Sequence, residues 1–217
     1  TKKSIFMSGY IYQYNNYINF IKKKLKDGTL GEVKYIQCIR NNLGPIREDI
    51  SSLFDLTSHD LSICNYFFNV KPKILNVSKY QILKKKNFDS ITVSLKYNNI
   101  FANISSSWLF PEKIRQIIII GSKKMLMFNE MDLKKPIKIY DKFVDYPEVK
   151  KLSEKNFLPT AKINVGKTFS PKIKYTQPLK EELKHFVSCI IKNKKPKTDI
   201  NFSLNILETL EEINNYN

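Results

Sequence analysis

Apolar residues recur along this chain in two rhythms, helical and alternating. Between residues 15 and 27, Tyr17, Ile18, Ile21 and Leu25 fall at helical spacing with Lys on the other face. Gly28 follows where a helix C-terminal cap belongs. Ahead of that helix, residues 4–12 (S-I-F-M-S-G-Y-I-Y) alternate loosely and predict a strand; after it, residues 31–40 (G-E-V-K-Y-I-Q-C-I-R) predict another. Gly44-Pro45 makes 41–50 irregular. Residues 52–68 return to the helical rhythm through Leu53, Leu56, Leu61, Ile63, Phe67 and Phe68.

From residue 74 the pattern is β. Strands are predicted at 74–83, 90–97, 100–109, 114–120, 124–129 and 136–140. Asn98-Asn99 suits a tight hairpin, because Asn tolerates positive φ, and Gly121-Ser122-Lys123 is a second reversal. A loop-rich stretch runs from 143 to 177. Helices over 178–193, with Pro178 in the first turn and Lys194-Lys195-Pro196 as a stop, and over 202–216 close the chain. Consecutive strands with short links predict an α+β fold: a large, open, mainly antiparallel sheet covered on one face by helices. Alternation in 90–97 and 114–120 is expected to leave apolar side chains on both faces, which points to a homo-oligomer formed through the open sheet.

At 217 residues and 42% hydrophobic, the chain is one domain, or a domain plus a fragment, with a real core. The net charge of +17 invites a nucleic-acid reading. However, the 37 basic residues include only Arg40, Arg47 and Arg115, and the lysines are scattered, with short clusters at 22–24 and 84–86. Lys, Asn and Ile are enriched together, as under a compositional bias. With no aromatic-basic signature or zinc-finger spacing, no nucleic-acid partner is expected. No run approaches the ~18 apolar residues of a membrane span, so no membrane association is expected. The opening T-K-K-S-I-F-M-S-G reads as the middle of a protein rather than a targeting segment. Cys38, Cys64 and Cys189 are few and far apart in sequence, which suits a reducing cytoplasm. With His59 and His185 alone, no all-His metal site exists, and no metal is expected. Six glycines form no G-x-G-x-x-G, P-loop or G-x-S-x-G, so the chain carries no cofactor-phosphate loop.

The sharpest chemical feature is D-L-T-S-H-D at 55–60. Asp55 and His59 share a face if the segment is helical, and a carboxylate beside an imidazole makes a general base. The alternative is a capping or core histidine with an Asp nearby. A metal half-site lacks a third ligand, and Asp60 reads as structural. Arg40 and Arg47 flank the Gly-Pro loop before this helix. Guanidinium recognises phosphate or carboxylate bidentately, and Asn41 and Asn42 suit hydroxyls. Otherwise Arg40 is an ion-pair partner and Arg47 is solvated. Trp108 and the tyrosines at 10, 12 and 14 read as packing residues, and His185 as a partly buried helix histidine.

The run N-N-L-G-P-I-R-E-D-I-S-S-L-F-D-L-T-S-H-D-L-S-I-C at 41–64 resembles the Gfo/Idh/MocA oxidoreductases. It is most similar to the branch acting on nucleotide-linked sugars, such as UDP-N-acetylglucosamine-type 3-dehydrogenases, with Phe54-Asp55 where Trp-Asp is usual. T-L-G-E-V at 29–33, S-W-L-F-P-E-K-I-R at 107–115, I-G-S-K-K-M at 120–125, P-L-x-x-E-x-x-H-F-x-x-C-I at 178–190 and K-K-P-x-T-D at 194–199 match in the same order. Tyr10 departs from the small polar or His residue often found there.

The resemblance implies that residues 1–12 are the last strand of a truncated Rossmann domain and that 13–217 form a substrate-binding and oligomerisation domain. The nucleotide loop and a Glu-Lys-Pro motif would precede residue 1, so cofactor-binding residues are not assigned. The cofactor would be NAD or NADP, and the substrate a sugar or nucleotide sugar. His59 would exchange a proton with the sugar hydroxyl, Asp55 would help orient it, and Arg47, Asn42 and Arg40 would lie toward the substrate. A non-catalytic sugar-binding or oligomerisation module of the same fold is the competing expectation.

Overall fold

The computed structural model describes residues 4–83, 86–145 and 161–216. Parts of the lysine cluster at 84–86 and of the 143–177 stretch lie outside these, as do residues 1–3. Residues 4–10 belong to no strand, and Ile11–Tyr14 form a 3-10 turn in place of the strand expected over 4–12. The alternation there is not used, because Tyr12, Gln13 and Tyr14 are all buried in succession. Asn15 then caps helix α1 (Asn16–Lys26), its side chain accepting from the Tyr17 and Ile18 amides.

Eight strands among the described residues make one sheet: β1 Val33–Asn41, β2 Lys73–Tyr80, β3 Ser90–Tyr97, β4 Ile100–Ser107, β5 Ile114–Gly121, β6 Met125–Asn129, β7 Ile137–Asp145 and β8 Lys162–Phe169. Their spatial order is β2-β3-β4-β1-β5-β6-β7-β8. The first strand therefore lies at the centre, parallel to β4 and antiparallel to β5, and every other pair is antiparallel. Asn98 takes φ 53° in the β3–β4 hairpin, as its residue type suggested. Gly121 is required by close approach: a Cβ there would lie 2.1 Å from the Leu30 carbonyl oxygen. Edge strand β8 falls within the stretch read as loop. Its side chains are almost all exposed, so burial imprints no pattern on its sequence.

Helices α1, α2 (Ser58–Phe68) and α4 (Ile200–Asn214) cover one face. Ile18 and Ile21, Leu61 and Cys64, and Ile206, Leu210 and Ile213 join Ile36, Cys38, Val93, Ile104, Ile117, Ile119 and Leu126 of the sheet in one apolar cluster. Cys38 and Cys64, distant in sequence, meet there at Sγ–Sγ 3.9 Å as free thiols. Helix α3 (Pro178–Lys192) packs outside that cluster and turns Leu179, Leu183, Val187 and Ile191 outward. The other sheet face is uneven. On β3 it carries Ser90, Thr92, Ser94 and Lys96, not the apolar residues expected on both sides, whereas β5 and β6 place Ile118, Ile120, Met125 and Met127 there. No helix among the described residues is long and apolar enough to cross a membrane.

Candidate functional site

The segment leading into α2 is not a plain α-helix. Leu53–Thr57 form a π-helical turn, with the Ser58 amide reaching back to the Leu53 carbonyl. Such turns interrupt helices often at functional sites, because they re-aim side chains without breaking the helix. The turn is anchored to the sheet by Thr57, whose hydroxyl donates to Ser106 Oγ of β4 at 3.0 Å. Asp55 leaves the turn toward Trp108, whose Nε1 donates to Asp55 Oδ2 at 2.8 Å. Asp55 Oδ1 lies 3.9 Å from Arg47 Nη1. The exposed Arg47 meanwhile grips Asp49 through Nε (3.0 Å) and Nη2 (2.5 Å), beside a hollow of about 300 Å³ that it lines with Glu48, Lys86 and Asn87.

One turn further, the sheet register sets an electrostatic problem. Arg40 of β1 and Arg115 of β5 are direct cross-strand partners and so share the helix-covered face. Two cations opposed in this way repel, and each is met by a carboxylate from another element. Asp60 of α2 takes Arg40 Nε at 2.8 Å and Nη2 at 2.9 Å, both side chains buried. Glu130, just past β6, takes Arg115 Nη1 at 3.1 Å. Tyr12 of the 3-10 turn joins the two pairs: its hydroxyl accepts from Arg40 Nη1 at 2.8 Å and donates to Glu130 Oε2 at 3.0 Å.

His59 sits against this assembly. Its ring meets the Tyr12 ring nearly at right angles, with centroids 5.6 Å apart. Burial holds the imidazole below its ordinary titration range, and Arg40 and then Arg115 push the same way against the opposing pull of Asp60 and Asp55. At neutral pH the ring is therefore uncharged and able to accept a proton.

A stability prediction follows from that sign. The folded state binds fewer protons than the unfolded chain, whose histidines titrate near 6.5, so stability should be full above that pH and fall as pH drops through the lower folded value. His185 is lowered as well, by burial and by Lys197, and contributes in the same direction. Denaturant melts from pH 8 to 5 should show the loss, and His59→Gln should flatten part of it. An unchanged profile in that variant would contradict a neutral, half-buried His59.

The structure brings together most of the residues singled out in the sequence, though not in the expected pairing. No hydrogen bond among the described residues joins Asp55 to His59, because the π turn sends the carboxylate to Trp108 instead. Asp60, read as structural, is buried and pairs with Arg40. Arg40 does not present an open fork, since that fork is filled by Asp60. Arg47 is the exposed guanidinium, although Asp49 takes its Nε and Nη2, and Asn42 lies in the same loop, its backbone N–H donating to the Ser107 carbonyl. Tyr12, Trp108, Arg115 and Glu130 were not identified as site residues. Arg115 carried a usable signal: it is one of only three arginines in this lysine-rich chain, and it lies directly across from Arg40.

The model of the GFO/IDH/MocA C-terminal domain family matches residues 18–127, half of the chain, including β1, the π turn and α2. The chain belongs to this family. Solved structures share the Gfo/Idh/MocA fold seen here. An aldose-aldose oxidoreductase from Caulobacter crescentus, complexed with glycerol, superposes with a TM-score of 0.73 at 16% identity, over 96% of this chain and 60% of that one. UDP-N-acetylglucosamine 3-dehydrogenase GnnA from Acidithiobacillus ferrooxidans gives 0.69 at 16% identity, over 94% and 60%. KijD10, a 3-ketoreductase from Actinomadura kijaniata in complex with TDP-benzene and NADP, gives 0.72 at 10% identity, over 97% and 61%. The chain thus spans about three fifths of the length of these structures. A comparison with curated proteins finds no match.

The described residues do not fit a nicotinamide dinucleotide by themselves. Glycines that allow close approach face the protein's own atoms: Gly31 meets Ser122 and Lys123, and Gly121 meets Leu30. Neither opens a backbone cradle for a pyrophosphate of the kind a Gly-rich turn at a helix N-terminus provides.

Proposed function

We propose that this chain is the substrate-binding part of an NAD(P)-dependent oxidoreductase acting at a hydroxyl-bearing carbon of a sugar, in particular a nucleotide-linked sugar. The observation that carries the reading is His59: a half-buried, neutral imidazole on the D-x-x-x-H-D segment, set edge-on to Tyr12 and under the field of the Arg40–Asp60 pair. A neutral imidazole can take the hydroxyl proton as the carbon is oxidised and return it in the reverse direction. A nicotinamide dinucleotide, when bound, would take or return the hydride. Asp55 acts through Trp108 and Arg47 on the substrate side of the π turn. Arg47 and Asn42 provide the polar loop, and Arg47 is the group suited to a phosphate or carboxylate. Arg40 serves by holding Asp60 and Tyr12.

The test is made on a complete enzyme bearing this chain, with nicotinamide absorbance followed against a panel of free and nucleotide-linked sugars. Oxidation of a nucleotide sugar that depends on His59 supports the reading; no turnover with any sugar and either cofactor overturns it. Within that assay, Arg47→Lys should raise KM about 10-fold or more while kcat changes little, since charge remains and the planar fork is lost. An unchanged KM would remove Arg47 from substrate binding.

We also propose that copies associate through the half of the open face bearing Ile118, Ile120, Met125 and Met127, where apolar side chains are not covered by helices. Ile118→Lys should lower the mass seen by light scattering. A monomeric parent chain at high concentration would overturn this.

A further inference from the structure

Among the groups around His59, Tyr12 stands apart because its buried hydroxyl both accepts and donates, and its two partners belong to different ion pairs. It comes from the 3-10 turn, while Arg40 comes from β1, Asp60 from α2, Arg115 from β5 and Glu130 from the end of β6. One side chain thus ties five elements together, and its ring is the surface against which the imidazole rests. Arg40 also lies over that ring, with the guanidinium carbon 4.8 Å from its centroid.

From this geometry we infer that Tyr12 is a positioning residue for His59: its ring shields and orients the imidazole, and its hydroxyl clamps that ring between the Arg40–Asp60 and Arg115–Glu130 pairs. The inference rests on the reading of His59 as the proton-transfer group for its functional meaning, and on contacts alone for its physical content. A ring gripped through its hydroxyl cannot swing away from the imidazole. The charged groups bearing on His59 are Arg40, Asp60, Arg115 and Asp55, with Glu130 compensating Arg115; with the clamp in place their distances to the ring are fixed. Burial also raises the Tyr12 hydroxyl's own titration, with Arg40 opposing and Glu130 reinforcing, so the phenol stays protonated and the donor bond to Glu130 persists at neutral pH.

The chain has two histidines, so proton NMR resolves His59 and His185 as separate titrating rings. In Tyr12→Leu the imidazole loses its shield, and its titration should rise toward the ordinary value. Tyr12→Phe keeps the ring but removes its clamp, so the His59 titration should rise, though less than in Tyr12→Leu. His185, on α3, serves as the internal control and should not move in either variant. If Tyr12→Leu does not fold, Tyr12→Phe decides, since it removes the hydroxyl alone and leaves the ring. An unmoved His59 in folded Tyr12→Leu, or in Tyr12→Phe where that variant must decide, would overturn the inference. So would a shift in Tyr12→Phe as large as in Tyr12→Leu. Because these titrations need no turnover, positioning by Tyr12 can fail while proton transfer by His59 stands, and the reverse.

Discussion

Replacing His59 by Gln in a complete enzyme that carries this chain should cut turnover ~100- to 10,000-fold, the range by which a positioned acid or base accelerates such steps. That range is roughly 3–5 kcal/mol of barrier. A sugar hydroxyl is a poor proton donor, so oxidation needs a base in contact as the carbon gives up hydride. Glutamine keeps polarity and approximate size, and no buried charge is stranded. Dinucleotide affinity should barely change, because the described residues hold no phosphate cradle. The pH profile should separate catalysis from folding. In the parent enzyme the acid limb of kcat/KM should follow protonation of His59, which lies below the ordinary histidine range, and in the variant that limb should disappear. Near-normal turnover across the pH range would make His59 a packing residue and send the proton elsewhere.

Asp60→Ala should be the most destabilising single change in this neighbourhood, by about 3–5 kcal/mol, because it leaves the Arg40 guanidinium buried without its counter-charge. The pair is almost sealed from water, with side-chain exposures of 5% and 2%. Domains typically hold only about 5–15 kcal/mol in total, so a large part of the stability is at stake. Urea melts of the parent and variant measure it. Replacing both partners with apolar residues of similar volume should cost far less, since the desolvation of two charges is then no longer required. A loss under about 1 kcal/mol in Asp60→Ala would show that Arg40 finds water or another anion. Exposed pairs such as Lys24–Asp27 should show little effect on removal.

Most elements were legible in the sequence because their signal is local. Strands 90–97, 102–107 and 117–121 alternate buried and half-buried positions, and α3 runs from Pro178 to its left-handed stop at Asn193. The exceptions have physical causes. Edge strand β8 buries nearly nothing, so no alternation marks it. The strand expected at 4–12 failed because alternation predicts a strand only where an edge is free to pair, and here three successive residues turn inward.

What the sequence by itself determined was most of the elements and an open, mainly antiparallel sheet, and it singled out the segment around Asp55, His59 and Arg47 as the candidate for chemistry. Periodicity, turn residues and the scarcity of arginine are properties of neighbouring positions and of composition, and they survive without coordinates. The tertiary structure alone decided that β1 lies between β4 and β5, which sets Arg40 opposite Arg115 and calls for Asp60 and Glu130. It also gave Asp55 to Trp108 and His59 to Tyr12. Those pairings join residues up to 118 positions apart, and a buried charge or polar group takes whichever partner the packed elements bring within reach.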